Sequence, residues 1–191
     1  MTTKSTLVAA VVEDLDDPDK LGRVRVRFPH LDNEMSNWAR LVSAGAGKDR
    51  GNFFRPERGD EVIVAFEHDD PRRPYVLGGV WNSPDPPPAD NKPKENNLRQ
   101  IVTRSGHVLR FDDTKDAERI EIIAAGGDQR VVFDKANARI EVTAQKGDVV
   151  VDAKGDVKVT SSANITITAQ GNIEIKATGS LKLSGSTVDI N

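Results

Sequence analysis

Gly147-Asp148-Val149-Val150-Val151, Gly155-Asp156-Val157-Lys158-Val159, Ala163-Asn164-Ile165-Thr166-Ile167, Gly171-Asn172-Ile173-Glu174-Ile175 and Gly179-Ser180-Leu181-Lys182-Leu183 are five copies of one pattern, each beginning eight residues after the last. A repeat this short cannot bury its own apolar face, and stacking on further copies completes it. Position four is Lys, Thr or Glu in four of the five octads, while positions three and five are always aliphatic. Alternate side chains of an extended strand point to opposite faces. Val149, Val151, Val157, Val159, Ile165, Ile167, Ile173, Ile175, Leu181 and Leu183 are therefore expected to face a dry interior, with the residues between them in water. Gly147, Gly155, Ala163, Gly171 and Gly179 stand at the corners. Glycine admits positive φ, and the Asp or Asn that follows in four of the five hydrogen-bonds nearby backbone, so the strand can turn every eight residues. The expected product is a three-sided rod, a β-prism.

A single thin strip of this kind orders many residues for few buried aliphatics, and backbone entropy opposes it. Three copies wound about one axis cover each other's strand edges and form an intertwined, triple-stranded β-helix. A homotrimer is the favoured arrangement, and a single-chain solenoid stays open. Upstream, Ile120-Glu121-Ile122, Val131-Val132-Phe133 and Ile140-Glu141-Val142 alternate in the same way with looser spacing. They are read as wider, less regular turns of the rod, which gives a β-helical spike over 98–191.

The first part of the chain follows other rules. All ten prolines lie at or before Pro93 and the last aromatic residue is Phe133, so two modules are expected. Short strand-like runs at Leu7–Glu13, Arg23–Phe28, Trp38–Ser43, Glu61–Phe66 and Tyr75–Trp81 are separated by turn-forming stretches such as Asp16-Asp17-Pro18-Asp19 and Asp69-Asp70-Pro71. Five strands within residues 1–82 fit a five-stranded OB-fold barrel, although pattern alone leaves an SH3-like barrel open. Residues 83–97, with Pro84, Pro86, Pro87, Pro88 and Pro93, read as a linker. The whole chain is expected to be all-β.

A formal charge of −3 and 30% charged residues describe a folded chain without a basic stripe. From Arg139 onward six basic residues are balanced by six acids, so nucleic-acid binding is not indicated. Cysteine is absent, which excludes disulfides and thiolate metal sites. Neither a signal h-region nor a membrane span is visible.

Motifs for chemistry are thin. His30, His68 and His107 are scattered and form no metal-ligand pair. Asp69-Asp70 and Asp112-Asp113 lie in turn contexts, where capping is the default role for a carboxylate. Glu13, Asp14, Asp16, Asp17 and Asp19 lack the glycine and terminal glutamate of a calcium loop. Gly45-Ala46-Gly47-Lys48 lacks the spacing of a phosphate cradle and reads as a flexible loop. Trp38 and Trp81 stand in apolar runs, where core packing or a subunit contact outweighs base stacking. No catalytic residue, metal or cofactor is expected.

Four blocks carry a family resemblance: Leu21-Gly22-Arg23-Val24-Arg25-Val26-Arg27-Phe28-Pro29, Trp38-Ala39-Arg40-Leu41, Arg58-Gly59-Asp60-Glu61-Val62-Ile63-Val64-Ala65-Phe66-Glu67-His68 and Arg73-Pro74-Tyr75-Val76-Leu77-Gly78-Gly79-Val80-Trp81-Asn82. In this order they resemble the OB domain of the VgrG and phage baseplate spike family. Arg104-Ser105-Gly106-His107-Val108-Leu109-Arg110-Phe111-Asp112-Asp113 is similar to the segment that begins that family's β-helix.

The resemblance implies a non-enzymatic, homotrimeric central spike of a contractile injection system or contractile phage tail. It would be assembled in the cytoplasm into a baseplate, with release outside the cell for particles that leave it. Its implied partners are a trimeric hub at the OB end, a PAAR-type protein at the C-terminal tip and, transiently, a target membrane. About six residues precede the first strand, which puts the hub on a separate polypeptide. The short proline-rich gap leaves no room for the lysozyme domain of some phage spikes. No histidine follows His107, so an iron tip built on His-x-His is not expected and a separate tip protein gains weight. Two other readings compete: an OB-type nucleic-acid-binding protein with a solenoid tail, and a β-helical carbohydrate-active enzyme or adhesin, which the short, aromatic-free octads disfavour.

Overall fold

The computed structural model describes residues 7–89 and 94–190, so residues 90–93 of the expected linker, the first six residues of the collar and Asn191 lie outside it. Thirteen strands are found among the described residues, together with one 3₁₀ turn at Glu67–Asp69 and no α-helix. The protein is all-β. The chain divides into two compact units, one up to Lys146 and one from Gly147 onward.

The first unit opens with β1 (Leu7–Asp14) and β2 (Arg25–Phe28), the short β3 (Glu34–Met35) and β4 (Arg40–Leu41), and the small hairpin β5 (Ala46–Gly47) and β6 (Arg50–Gly51). β7 (Glu61–Phe66) and β8 (Pro74–Gly79) complete its first part. Six of these strands form a sheet in the order β3-β2-β1-β7-β8-β4, antiparallel except for β4 beside β8. Val24 and Ala39 exchange backbone hydrogen bonds of 3.0 and 2.7 Å, which join the start of β2 to the start of β4. All five expected strand regions are present. Gly45–Lys48, read as a flexible loop, belongs instead to the β5–β6 hairpin.

β-branched residues fill this part because a pleated, half-buried surface suits them. Val12 faces Val26, Ala10 faces Val62 and Val64 faces Val76 across the ladders, and all are buried. The β1–β2 connection is held by Asp17, a buried carboxylate. It accepts the backbone N–H groups of Asp19, Leu21 and Arg23 at 2.9–3.1 Å and the Arg23 guanidinium at 2.6 Å. These bonds favour the charged form and hold its pKa far below the usual carboxylate range, with the Arg23 side chain the largest cause.

Next come β9 (Leu98–Val102), β10 (Val108–Asp112), β11 (Arg119–Ile123), β12 (Gln129–Asp134) and β13 (Arg139–Ala144), an antiparallel meander in sequence order. Ile120-Glu121-Ile122, Val131-Val132-Phe133 and Ile140-Glu141-Val142, expected as turns of the rod, are thus hairpin strands paired within the chain. The turns between them are short enough for direct antiparallel return, so each strand pairs with its sequence neighbour.

From Gly147 to Ile190 the described chain has no strand, and no backbone–backbone hydrogen bond joins two of its residues. Every residue of this stretch is exposed. Gly147 adopts φ +83°, and a Cβ added at Gly155, Gly171 or Gly179 would meet nothing within 4 Å.

Candidate functional site

The octad side chains carry the first surface. Val149, Val157, Ile165, Ile173 and Leu181 at position three are 54–61% exposed, and Val151, Val159, Ile167, Ile175 and Leu183 at position five are 62–75% exposed. The apolar positions are left open, and of the corner glycines only Gly147 takes positive φ, so the corners of the octads do not share one backbone conformation. Between them lie only local polar contacts, such as the Lys158–Asp156 pair at 3.7 Å, the Lys176–Glu174 pair and the Ala163 N–H to the Ser161 hydroxyl.

The meander carries the second. Register aligns Phe111, Ile120, Phe133 and Ile140 in one cross-strand row and Leu109, Ile122, Val131 and Val142 in the next, both on one face. Six of these eight are exposed large hydrophobics. On the opposite face the row Asp112, Arg119, Asp134, Arg139 alternates in charge, with Arg110, Glu121, Val132 and Glu141 beside it. Arg110 meets Glu121 at 3.3 Å, Arg119 meets Asp112 at 3.4 Å and Arg139 meets Asp134 at 3.4 Å. Opposite charges directly across strands stabilise pairing, so this face is satisfied within the chain and the apolar one is not. The sequence signal for the ladder was the apolar–charged alternation itself, but only register places Asp112 beside Arg119.

The barrel presents two distinct ends. β1, β4 and β8 run the same way, so the segments after them, 15–24, 42–60 and 80 onward, emerge together. The meander lies at this end: Arg104 in the β9–β10 turn reaches Glu57 at 2.9 Å. At the other end the Phe28–Asn37 turn and the Glu67–Arg73 loop frame a groove of about 620 Å³. Val8, Phe28, Leu31, Met35, Phe66 and Pro71 supply its apolar walls, and the Phe28 and Phe66 ring centroids are 5.9 Å apart.

The carboxylate pairs are occupied in turns. Asp70 accepts the backbone N–H of Arg72 at 3.0 Å and its side chain at 2.9 Å, and the Arg72 side chain is the main reason its pKa falls to about 2. Asp112 accepts the Thr114 hydroxyl at 2.6 Å, the largest cause of its lowered pKa, and Asp113 takes Arg99 at 2.7 Å. His107 accepts the Ala125 N–H at Nδ1, His30 packs edge-on against Phe28, and His68 sits in a left-handed turn. Among the described residues no group of three or more His, Cys, Asp or Glu side chains is placed to hold a metal ion. None of the described helices is long and apolar enough to cross a membrane. Trp38 lies half-buried under the guanidinium groups of Arg23 and Arg25, whereas Trp81 is exposed.

Residues 8–81 match the type VI secretion system/phage-baseplate injector OB domain. These residues carry the OB domain of that family. The resemblance to VgrG spike proteins is borne out by curated relatives. The type VI secretion system spike protein VgrG1a of Pseudomonas aeruginosa is 30% identical over 134 residues, 64% of this chain and 21% of its own length. VgrG1b of the same organism is 32% identical over 118 residues, 56% of this chain and 16% of its own. VgrG3 of Vibrio cholerae is 33% identical over 113 residues, 53% of this chain and 11% of its own. The chain therefore spans about a fifth or less of the length of these relatives. The family's OB domain accounts for the barrel and for the order of the four sequence blocks.

Proposed function

We propose that this chain is the structural central spike of a contractile injection system or contractile phage tail. Residues 1–82 form a closed five-stranded OB collar, 83–97 a linker and the chain from 98 onward the shaft. Three copies associate, and their octads intertwine into a triple-stranded β-prism in which Gly147, Gly155, Ala163, Gly171 and Gly179 mark the corners and the ten aliphatics fill the core.

One observation carries this reading: five octads follow one another from Gly147, and no backbone hydrogen bond joins two residues of 147–190. A single-chain solenoid would ladder each octad on the next. Buried backbone groups without partners are costly, so a segment this apolar requires strands from elsewhere, and copies of itself share its period. The uncovered rows on the meander support the same arrangement, since large exposed apolar faces mark association surfaces.

Within the machine, the groove-bearing end of the barrel seats on a trimeric hub. A PAAR-type protein caps the tip, and the target membrane is met only transiently during puncture. Rigidity is what such a part supplies, and the turn-bound carboxylates support a role without catalysis. The assembly takes place in the cytoplasm, within a baseplate. Sedimentation of the full chain tests the reading: a mass three times 20.8 kDa is expected, and a monomer at micromolar concentration sinks it.

A further inference from the structure

The stretch that leads from the barrel towards the meander is fastened at both ends. Just after β8 the Val80 N–H bonds the Glu61 carbonyl at 2.9 Å, and Asn82 then closes a turn. Its Nδ2 donates to a Glu61 carboxylate oxygen at 2.7 Å, and its Oδ1 accepts the Asp85 N–H at 2.8 Å. Its own N–H donates to the Asp85 carbonyl at 3.1 Å. At the other end the side-chain amide of Gln100 in β9 donates to the Pro88 carbonyl at 3.0 Å, while its oxygen accepts the Arg110 guanidinium of β10 at 2.9 Å. Arg110 in turn meets Glu121 of β11 at 3.3 Å. A polar path thus runs from β7 of the barrel to β11 of the meander, and Pro86, Pro87 and Pro88 are its one stretch of plain chain.

Those prolines make the path a mechanical one. Each ring fixes φ near −65°, a proline restricts the residue before it, and runs of proline adopt the extended polyproline II form. All three are exposed, so what fixes the run is its own stiffness and its two anchors. A glycine- or serine-rich stretch of this length is a flexible tether, whereas a proline run is a spacer of nearly constant length. The Arg104–Glu57 pair at 2.9 Å joins the same two sheets at a second place, and two attachments limit swivelling where one does not. We propose that Asn82–Pro88 is a strut that holds the barrel and the meander at a fixed spacing, so that the two move as one body. In the spike, and resting on that reading, the strut is the joint through which load passes from collar to shaft. The joint itself does not depend on how many copies associate.

Two measurements on the full chain test the strut. In hydrogen exchange, proline has no N–H, so Asn82 and Asp85 report on the stretch, and both are expected to exchange at least about tenfold slower than in an unstructured chain. Gln100→Ala, at the far anchor, is expected to speed exchange at Asp85 about threefold, and to have no effect once Pro86, Pro87 and Pro88 are all replaced by glycine. An Asp85 rate that Gln100→Ala leaves unchanged overturns the strut. For the second measurement the chain has no cysteine, so Arg72→Cys in the barrel and Lys135→Cys in the meander, both exposed, take a pair of spin labels. Assembly with an excess of unlabelled chain keeps one labelled copy per particle. The distance distribution is expected to be narrow, and to widen about twofold or more in the triple-glycine variant. A distribution already broad in the native sequence, or unchanged by the glycines, overturns the strut. Mass by sedimentation follows the spike reading separately: a monomer with a narrow distribution keeps the strut and sinks the trimer, and a trimer with a broad one does the reverse.

Discussion

In the barrel, Val12, Val24, Val26, Val62 and Val64 are fully enclosed by the chain that carries them, whereas Val157, Ile165 and Ile173 lie open on theirs. Both regions alternate β-branched residues with polar ones, so local pattern does not separate them. The difference is return. Barrel strands come back on one another through short turns and pair within the chain, while the octads run on without an in-chain partner. The meander stands between: its strands pair in the chain, yet one face of the sheet is left for something else. Along the sequence, pairing within the chain is thus complete in the first sheet, one-sided in the meander and absent from the described octads.

Breaking that comparison gives its largest effect in the octads. Ile165→Asp with Ile173→Asp places charges where the proposed trimer has a dry core, and burying an unpaired charge costs several kcal/mol. The expected outcome is a monomeric mass with the barrel's Trp38 signal intact; a surviving trimer would mean that these positions do not face the axis. Dissociation of the proposed trimer should also shift with protein concentration, whereas the barrel transition should not.

Smaller effects follow inside the barrel. Val64→Ala empties part of a closed core and is expected to lower barrel stability by about 2 kcal/mol by denaturant titration, without changing the oligomer mass. Gly22→Ala, forced to positive φ under the Phe53 ring, should cost about 1 kcal/mol by the same measurement. The next effect is present at neutral pH and is lost in acid. Asp17 has a folded pKa lowered by Arg23, so its contribution is fully present above the ordinary Asp value near 4 and is lost as pH falls below it. Asp17→Asn should flatten acid denaturation of the barrel in that range. The smallest change is expected for Lys158→Ala, an exposed octad side chain whose pairing with Asp156 is worth under about 0.5 kcal/mol.

Much of this was legible in the chain itself. Strand regions and the octad period come from side-chain alternation, a property of local backbone geometry. A two-residue pairing leaves almost no periodic trace, so the β5–β6 hairpin has no signature in the sequence, and the exposed Phe53 and Phe54 belong to no motif. The charge ladder was half visible: Glu121 and Arg119 alternate with isoleucines in sequence, but their partners lie on other strands.

By itself the sequence determined that the protein is all-β, that a barrel region precedes a periodic tail, and which residues alternate, since each depends on neighbours a few positions apart. Only the tertiary structure decided that residues 98–144 fold back as a meander, that β1, β4 and β8 run in one direction, and that residues 147–190 find no backbone partner in their own chain. Those outcomes depend on register and strand direction between distant segments, and such information is held by pairing and not by any one stretch of residues.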